Sequence, residues 1–146
     1  MDKSKFDVLR LENQLCFPLY ACAKEVVRKY RPFLDELDLT YTQYIVMMVL
    51  WEDKSCSVKG LGKRLFLDSG TLTPVLKSLE KKGFVNRARS KKDERVLEVE
   101  ITSKGEALKA EAVSVPERLA GCINLEPEEA AELYRLLYKA LGVVKE

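Results

Sequence analysis

The chain has 146 residues, with 25 basic and 23 acidic side chains, no histidine and four cysteines. This length suits a single domain, residues 1–146, that buries its own core. No segment approaches the apolar length of a membrane span, so no membrane partner is expected. The opening stretch MDKSKFDVLRLENQ mixes charges of both signs and has no apolar run with a cleavage site. This stretch predicts a cytoplasmic protein, in which the four cysteines are expected to be reduced unless they have a redox function.

The composition argues against most kinds of enzyme. A zinc site would need histidines or closely spaced cysteines, and the sequence has neither. No glycine-rich phosphate loop is present. We therefore expect no metal, no cofactor and no enzymatic activity, and cysteine is the one residue type left to carry chemistry.

The N-terminal region predicts one long helix. From residue 8 to about residue 30 apolar side chains recur at steps of three and four, and Pro18 within this stretch predicts a kink or a late helix start. A second apolar stripe runs beside the first, which favours packing between subunits over burial within one. A short helical turn is expected after Pro32. The stripes are Leu11, Leu15, Leu19, Cys22, Val26 and Tyr30, and Cys16, Tyr20, Ala23 and Val27.

Three further helices are predicted before residue 84. The first spans residues 41–52 with Thr40 as its N-cap, and residues 53–56 form a short connection. The second spans residues 58–65, and after a turn at residues 66–68 the third begins with Ser69 as its N-cap and ends at Gly83. The third helix buries Leu72, Val75, Leu76 and Leu79, and the candidate DNA contacts on it are Ser69, Thr71, Thr73, Pro74 and Lys77.

Strand-like alternation follows Gly83. Residues 84–87 and 96–101 are predicted to form a hairpin with its tip at residues 88–95. Helix, turn, helix and hairpin in this order predict a winged helix-turn-helix, a mainly α fold with a small β-hairpin wing. Short hydroxyl side chains would let the second of these helices enter a major groove, while the wing would reach a minor groove and its phosphates. The candidate contacts on the hairpin are Arg87, Arg89, Lys91, Lys92, Asp93 and Arg95.

The charge is concentrated in the same module. Residues 54–95 hold 12 basic and 4 acidic residues, a net charge of +8, whereas the rest of the chain holds 13 basic and 19 acidic residues, a net charge of −6. Double-stranded DNA is therefore the expected partner. The alternative is a solvated basic face on an ordinary small domain.

Two helical segments are predicted beyond the wing. Ser103 and Glu106 have the spacing of a capping box, so a helix is expected from residue 103 to about 115, where Pro116 bends or restarts it. Pro127 is expected to be the first residue of the last helix. The buried face predicted for that helix consists of Ala130, Leu133, Leu137, Ala140 and Leu141.

The string DERVLEVEITSKG resembles the wing signature of the MarR family of bacterial repressors, carried here by Asp93, Arg95, Thr102 and Gly105. The strings LENQLCFPLY, LDLTYTQYIVMMVLWE and LFLDSGTLTPVLKSLE resemble the organic-hydroperoxide-sensing OhrR branch. The resemblance implies a homodimer with a winged helix-turn-helix core at about 57–105 and dimerisation helices at about 6–32 and 106–146. A two-fold dimer would bind a pseudo-palindromic operator.

The resemblance also implies roles for particular side chains. Taken alone, each cysteine is more often a small buried apolar residue than a reactive one. In the matching string LENQLCF the reactive cysteine of the branch falls on Cys16. The resemblance places the tyrosines near its thiolate on Tyr30 and Tyr41. The resolving thiol of members with two active cysteines falls on Cys122. A helix N-terminus and phenol hydrogen bonds would both favour a thiolate. Cys56 is expected to be structural.

Three hypotheses follow. The first is a repressor that senses organic hydroperoxides by oxidation of Cys16, forms a disulfide with Cys122 of a partner subunit, and then releases its operator. The second is a MarR-type repressor that binds a small phenolic or lipid effector while Cys16 stays inert. The third is a thiol peroxidase, which would normally need a thioredoxin-like alternation of strands and helices that this helix-rich sequence lacks.

Overall fold

The computed structural model describes residues 5–143. Two groups of residues lie outside the described range. They are residues 1–4, which belong to the opening stretch that lacks the pattern of a secretion signal, and residues 144–146, which end the second predicted dimerisation segment. None of the helices in the described range is both long and apolar enough to cross a membrane. The helices are α1 (Cys16–Asp35), α2 (Tyr41–Asp53), α3 (Val58–Leu65), α4 (Ser69–Lys81), α5 (Ser103–Ala112), α6 (Val115–Ala120) and α7 (Pro127–Ala140), and the strands are β1 (Ser55–Ser57), β2 (Val85–Arg89) and β3 (Leu97–Ile101).

Helix α1 begins at Cys16, so the prediction of a helix from residue 8 is wrong. Two short 3-10 turns, Asp7–Leu9 and Leu11–Asn13, occupy the segment before it. Pro18 lies in the first turn of α1, where a backbone N–H would have no intrahelical acceptor, so proline costs little there. Of the two outcomes expected from Pro18, a kink or a late helix start, the structure shows the late start.

The end of α1 also differs from the prediction. Instead of a separate turn after Pro32, the helix continues through Pro32 to Asp35. Leu34 is 1% exposed, and its burial in the core holds the last turn although Pro32 donates no hydrogen bond. The chain then turns at Asp38, whose φ of 55° is left-handed, and enters α2.

Helix α2 forms the centre of the core. The Thr40 hydroxyl accepts from the Gln43 N–H at 3.3 Å, and Oε1 of Gln43 accepts from the Thr40 N–H at 3.0 Å. This reciprocal capping box confirms Thr40 as the N-cap. Buried Trp51 donates its Nε1–H to the carbonyl of Gly105 at 2.9 Å and so joins α2 to α5. The fully buried side chains of α2 are Val46, Met47 and Leu50.

Helices α3 and α4 form the predicted helix-turn-helix, and Phe66, at a left-handed φ of 56°, makes the turn. The N-cap of α4 is Asp68 and the prediction of Ser69 is wrong. Oδ1 of Asp68 accepts from the Thr71 N–H at 2.7 Å, and Ser69 is the first helical residue. Aspartate and serine are both good caps, so the path of the turn decides between them: Asp68 has the extended backbone of a cap, with a ψ of 166°.

The wing belongs to a three-stranded antiparallel sheet with the strand order β1-β3-β2. The predicted hairpin is present with slightly shifted bounds. Strand β1 was expected to be part of a loop, and that expectation is wrong. It is only three residues long and pairs Cys56 with Val99 of β3, so its conformation depends on a partner distant in sequence.

Helix α5 is capped by Thr102, and the predicted cap Ser103 is wrong. The Thr102 hydroxyl accepts from the Gly105 N–H at 3.1 Å and donates to the carbonyl of Gly83 at 2.6 Å. The second bond ties the start of α5 to the turn between α4 and the wing. Because Gly83 is distant in the sequence, local spacing could not reveal this choice.

Helix α7 begins at Pro127, as predicted, and Glu126 and Glu129 form its capping box. Along α7, which is described throughout, no residue is buried. The predicted buried face is therefore wrong for a single chain. Leu133, Leu137 and, just beyond the helix, Leu141 are exposed, so the described residues leave this apolar stripe uncovered.

The first turn of α5 leaves no room for a side chain at Gly105. A Cβ there would lie 2.3 Å from the carbonyl oxygen of Phe84 and 2.9 Å from Cγ1 of Ile101. Gly105→Ala should therefore lower the free energy of unfolding by about 3 kcal/mol through overpacking, as measured by urea denaturation. Gly121→Ala is the control, because its Cβ would lie 3.7 Å from the nearest atom, the carbonyl oxygen of Arg118. Equal stability of the two variants would contradict the packing described.

Candidate nucleic-acid interface and cysteine site

One face of α4 carries the side chains predicted to contact DNA. Ser69, Thr71, Pro74 and Lys77 are exposed. Thr73 is half-buried, and its hydroxyl donates to the carbonyl of Ser69 at 2.8 Å. The structure thus places four of the five residues on one solvent face and the fifth beside it. The opposite face is fixed in the core by Leu72, Leu76 and Leu79.

The tip of the wing is shaped by Asp93. The Ser90 N–H donates to the carbonyl of Val96 at 2.8 Å and closes the loop. Oδ1 of Asp93 accepts from the backbone N–H and from Nε of Arg95, both at 3.1 Å, and these bonds lower the pKa of the Asp93 carboxyl. The Arg95 side chain is nevertheless 91% exposed. Asp93 therefore holds the Arg95 side chain in place while its guanidinium stays exposed to solvent.

The remaining basic residues of the hairpin differ in their availability. Arg89, Lys91 and Lys92 are exposed, and none of the three forms a salt bridge with a residue in the range 5–143. Arg87 is turned back toward α4. Its side chain is 18% exposed, and its NH2 lies 3.2 Å from Oε1 of Glu80. Arg87 therefore stands apart from the exposed cations at the tip.

Several cations of the basic module join structural elements. Arg64 pairs with two acidic residues at the end of α2, and Lys54 and Lys82 also bond across elements. On α3, however, Lys59 and Lys63 are exposed, and the first helix of such a motif crosses the DNA backbone. They are candidate phosphate contacts that the sequence pattern indicated only through the net charge of the segment. The bonded sets are Arg64 with Glu52 and Asp53, Lys54 with Glu106, and Lys82 with Gln43 and the carbonyl of Asp38.

Cys16 is the first residue of α1, and it is exposed. Its neighbours Leu15 and Phe17 are also exposed, Leu15 to 84%. The thiol thus lies at a helix N-terminus within an apolar patch that residues 5–143 do not cover. The residues flanking it line a surface cleft, formed by Arg10, Leu11, Glu12, Gln14, Phe17 and Pro18.

The two tyrosines predicted to support the thiolate lie together, at the other end of α1. The ring centroids of Tyr30 and Tyr41 are 4.9 Å apart, and the centroid of Tyr44 is 5.8 Å from that of Tyr30. Burial, with smaller contributions from Tyr41 and Tyr44, raises the pKa of Tyr30 to about 12. Burial also raises the pKa of Tyr41. Both phenols therefore stay protonated and can donate hydrogen bonds.

Cys122 follows α6 and lies against the second half of α1. Nζ of Lys29 donates to the carbonyl of Cys122 at 2.7 Å. Arg118 forms two bonds to Glu36, at 2.8 and 3.0 Å, and its guanidinium lies 4.3 Å from the ring centroid of Phe33. These contacts hold the end of α6 on α1. Cys122 itself is exposed.

The predicted thiol site is not assembled within one chain. Cys16 and Tyr30 are fourteen residues apart in α1, which at 1.5 Å per residue is about 21 Å. Lys29, which donates to the carbonyl of Cys122, is one residue closer to Cys16 than Tyr30 is. A disulfide requires a Cα separation of about 4.4 to 6.8 Å, so Cys16 cannot reach Cys122 along this helix.

The other two cysteines differ in environment. Cys22 is exposed on α1. Cys56 is half-buried in β1, and burial, followed by the charge of Asp53, raises the pKa of its thiol. A raised pKa keeps the thiol protonated and unreactive, which agrees with the structural role expected for Cys56.

The sequence matches a known family over more than half of its length. The profile described as "Transcriptional regulator SarA/Rot" matches residues 28–112. The chain is 44% identical over 139 residues to the "Organic hydroperoxide resistance transcriptional regulator" of Bacillus subtilis, covering 95% of each protein. It is 46% identical over 123 residues to the "HTH-type transcriptional regulator SarZ" of Staphylococcus aureus, covering 84% of this chain and 83% of the relative.

Solved structures agree with the sequence relatives. Reduced AbfR bound to DNA superposes with a TM-score of 0.74 at 34% identity, covering 92% of this chain and 94% of the other. AbfR, which comes from Staphylococcus epidermidis, is also known in an overoxidised form bound to DNA and in a disulfide form. A MarR mutant from E. coli in complex with operator DNA has a TM-score of 0.77 at 26% identity, covering 95% of this chain and 99% of the other. The chain therefore belongs to the MarR-type family of winged-helix, DNA-binding transcriptional regulators, in the group that includes the SarA/Rot and organic hydroperoxide resistance regulators.

Proposed function

We propose that the protein is a homodimeric repressor that senses organic hydroperoxides through Cys16 and releases its operator when Cys16 is oxidised. The observation that carries the proposal is the placement of an exposed thiol at one end of α1 and of protonated tyrosines at the other end. The Bacillus subtilis relative supports the choice of signal, since its name refers to organic hydroperoxide resistance. The structures of reduced AbfR bound to DNA and of a disulfide form of AbfR support redox control through a disulfide.

A two-fold dimer would complete the site. In an isologous interface, residue i of one subunit meets residue j of the other, and j meets i. If two α1 helices cross antiparallel at Ala23, midway between residues 16 and 30, each Cys16 meets the partner's Tyr30. Ala21, Cys22 and Ala23 have small side chains that permit a close crossing. The same symmetry brings the partner's Cys122, which lies beside Lys29, toward Cys16.

The exposed apolar surface supports such a dimer. Monomeric proteins rarely expose contiguous apolar patches of more than a few hundred Å². In this chain two groups of large apolar residues are exposed, one before and at the start of α1 and one along α7 and just beyond it. They are Phe6, Val8, Leu9, Leu11, Leu15, Phe17, Leu19, Leu133, Tyr134, Leu136, Leu137 and Leu141.

The sensing reaction uses the Cys16 thiolate as a nucleophile. The thiolate attacks the terminal oxygen of the hydroperoxide, the O–O bond breaks, and an alcohol leaves after taking up a proton. Sulfur is oxidised to a sulfenic acid and the peroxide is reduced. The helix N-terminus and hydroxyl donors from Tyr30 and Tyr41 of the other subunit stabilise the thiolate. The apolar patch around Cys16 selects organic peroxides over hydrogen peroxide.

The sulfenic acid then condenses with the thiol of the partner's Cys122, with loss of water. Closure to disulfide distance draws the end of α6 on one subunit toward the start of α1 on the other. Arg118 and Lys29 hold α6 on α1, so this movement rotates the subunits as units. The two recognition helices then lose the spacing of their half-sites, and DNA is released.

Each subunit contacts one half-site of a pseudo-palindromic operator. Helix α4 enters the major groove through Ser69, Thr71, Thr73, Pro74 and Lys77. The wing reaches the adjacent minor groove and phosphates through Arg89, Lys91, Lys92 and the Asp93-held Arg95.

If the wing contacts DNA as proposed, removing one of its cations should make operator binding less dependent on salt. Arg95→Ala should weaken binding to all duplexes and should reduce the magnitude of the slope of log K against log salt by about 1, since one phosphate contact is lost. Thr71→Ala should instead reduce the preference for a selected operator over a scrambled duplex. Thr73→Ala should reduce this preference less, because the Thr73 hydroxyl already donates to the carbonyl of Ser69. Fluorescence anisotropy at several salt concentrations measures both effects. Parent-like binding and slope in Arg95→Ala would count against the wing contact.

The two-fold arrangement predicts which subunit supplies the tyrosine. Tyr30→Phe should slow Cys16 oxidation about tenfold, as expected for the loss of one hydrogen bond to a charged group. A mixed dimer with Cys16→Ser on one subunit and Tyr30→Phe on the other should react at the parent rate per thiol. A mixed dimer with both substitutions on one subunit should react slowly, because its single Cys16 then faces Phe. The reverse order of rates, measured by stopped-flow thiol titration, would place Tyr30 beside the Cys16 of its own subunit.

The cysteine variants separate sensing from resolution. Cys16→Ser should bind the operator and ignore cumene hydroperoxide. Cys122→Ser should form the sulfenic acid but no covalent dimer on non-reducing gels, whereas the control Cys22→Ser should form the covalent dimer. A covalent dimer in Cys122→Ser would make another cysteine the resolving thiol. Peroxide-induced release of DNA by Cys16→Ser would refute the sensing proposal.

Mass spectrometry after a small excess of the same peroxide distinguishes the other hypotheses. An unmodified Cys16 would favour a repressor that binds a phenolic or lipid effector, and many turnovers per subunit would favour a thiol peroxidase. The proposal expects a single oxidation per subunit.

A further inference from the structure

We infer that Glu80 and Arg87 form a positioning pair that fixes the angle between the recognition helix and the wing, so that Arg87 contributes to operator binding without contacting DNA. Glu80 lies at the C-terminal end of α4, and Arg87 lies in the middle of β2. The inference rests on the proposed DNA interface, in which α4 and the wing reach two grooves at once.

The pair joins the two elements at more than one point. The backbone N–H of Arg87 donates to Oε2 of Glu80 at 3.1 Å, and NH2 of Arg87 donates to Oε1 at 3.2 Å. One carboxylate therefore holds both the strand backbone and the guanidinium. Charge-assisted bonds of this kind are stronger than neutral ones and have a defined direction.

Burial distinguishes Arg87 from the cations at the wing tip. Its side chain is 18% exposed, compared with 91% for Arg95. Its Nε is buried without a hydrogen-bond partner among the described residues. An arginine that served only as a phosphate contact would have no reason to bury a donor. The orientation toward Glu80 is thus maintained against a desolvation cost, which indicates a structural requirement.

The position of the pair explains that requirement. The link between α4 and β2 is a short turn at Gly83, whose φ is +83°. On the far side of the hairpin, Thr102 bonds to the Gly83 carbonyl, but this contact lies at the base of the wing. The register pairs Arg87 with Val99, halfway along the hairpin, where a tie to α4 resists rotation of the whole wing. The major and minor grooves are about 12 and 6 Å wide, so such a rotation would remove the tip from its groove.

The first test asks whether removal of the Glu80 carboxylate weakens or strengthens DNA binding. Glu80→Ala removes an acidic group close to DNA and keeps a good helix former, so simple electrostatics predicts tighter binding. Loss of a positioning pair predicts binding about tenfold weaker at fixed salt, the size expected for one charge-assisted pair. Glu94→Ala is the matched control, because Glu94 is an exposed wing acid with no salt bridge in the described range. It should bind as tightly as the parent or more tightly.

A second variant uses the salt dependence. Arg87→Met should weaken binding by a similar factor while leaving the salt slope of the parent unchanged, whereas a phosphate contact would lose about 1 from the magnitude of the slope. The double variant with Glu80→Ala should bind no more weakly than either single variant, since one interaction is removed in all three. Glu80→Gln, which keeps a carbonyl acceptor, should recover part of the affinity. Thermal unfolding and amide exchange of the Arg87 N–H confirm that the variants fold and that the tie is lost.

The outcomes separate this inference from the proposed interface. Failure of the parent to select any duplex would refute the interface. If the parent binds, then tighter binding by Glu80→Ala, additive losses in the double variant, or a reduced salt slope in Arg87→Met would each overturn the positioning role.

Discussion

The DNA-binding half of the molecule depends on the burial of α2. Val46, Met47 and Leu50 of this helix are fully enclosed, so the elements around it are positioned by packing against a common surface. Directional bonds then fix their orientation: Trp51 bonds to the start of α5, and Gln43 bonds to Ser78 of α4 at 2.9 Å. Hydrophobic burial is non-directional, and these few buried polar contacts give the recognition helix its defined position.

The length of α1 imposes a second constraint. A helix of twenty residues separates the exposed Cys16 from the tyrosine cluster by a distance that no rotamer change can close. Any site that uses both must therefore be built from two chains. Apolar side chains along α7 and at the start of α1 are left uncovered by the described residues, and the proposed dimer would cover them. In the proposed mechanism, sensing and dimerisation therefore involve the same helix, and a change at the thiol acts directly on the geometry that separates the two recognition helices.

Charge has two different functions in the basic module. Arg64, Lys82 and Arg87 are bonded to acidic or amide groups of neighbouring elements and hold the module together. Arg89 and Lys92 remain exposed. Exposed ion pairs contribute little to stability on their own, but those that bridge two elements restrict their relative motion. The net charge of the segment therefore overstates the number of cations available to phosphates.

The sequence by itself determined the helix-turn-helix, the hairpin and the cap at Thr40, because apolar periodicity and cap chemistry depend on near neighbours in the chain. Its likeness to a known family also singled out Cys16. Only the tertiary structure decided that Asp68 rather than Ser69 caps the recognition helix, that β1 is a strand, that Arg87 turns toward α4, and that α7 leaves its apolar face uncovered. Each of these depends on groups that are distant in the sequence or on the path of a turn. Local sequence patterns indicate which hydrogen bonds and contacts a residue is able to make. The fold determines which partner group is close enough to make them.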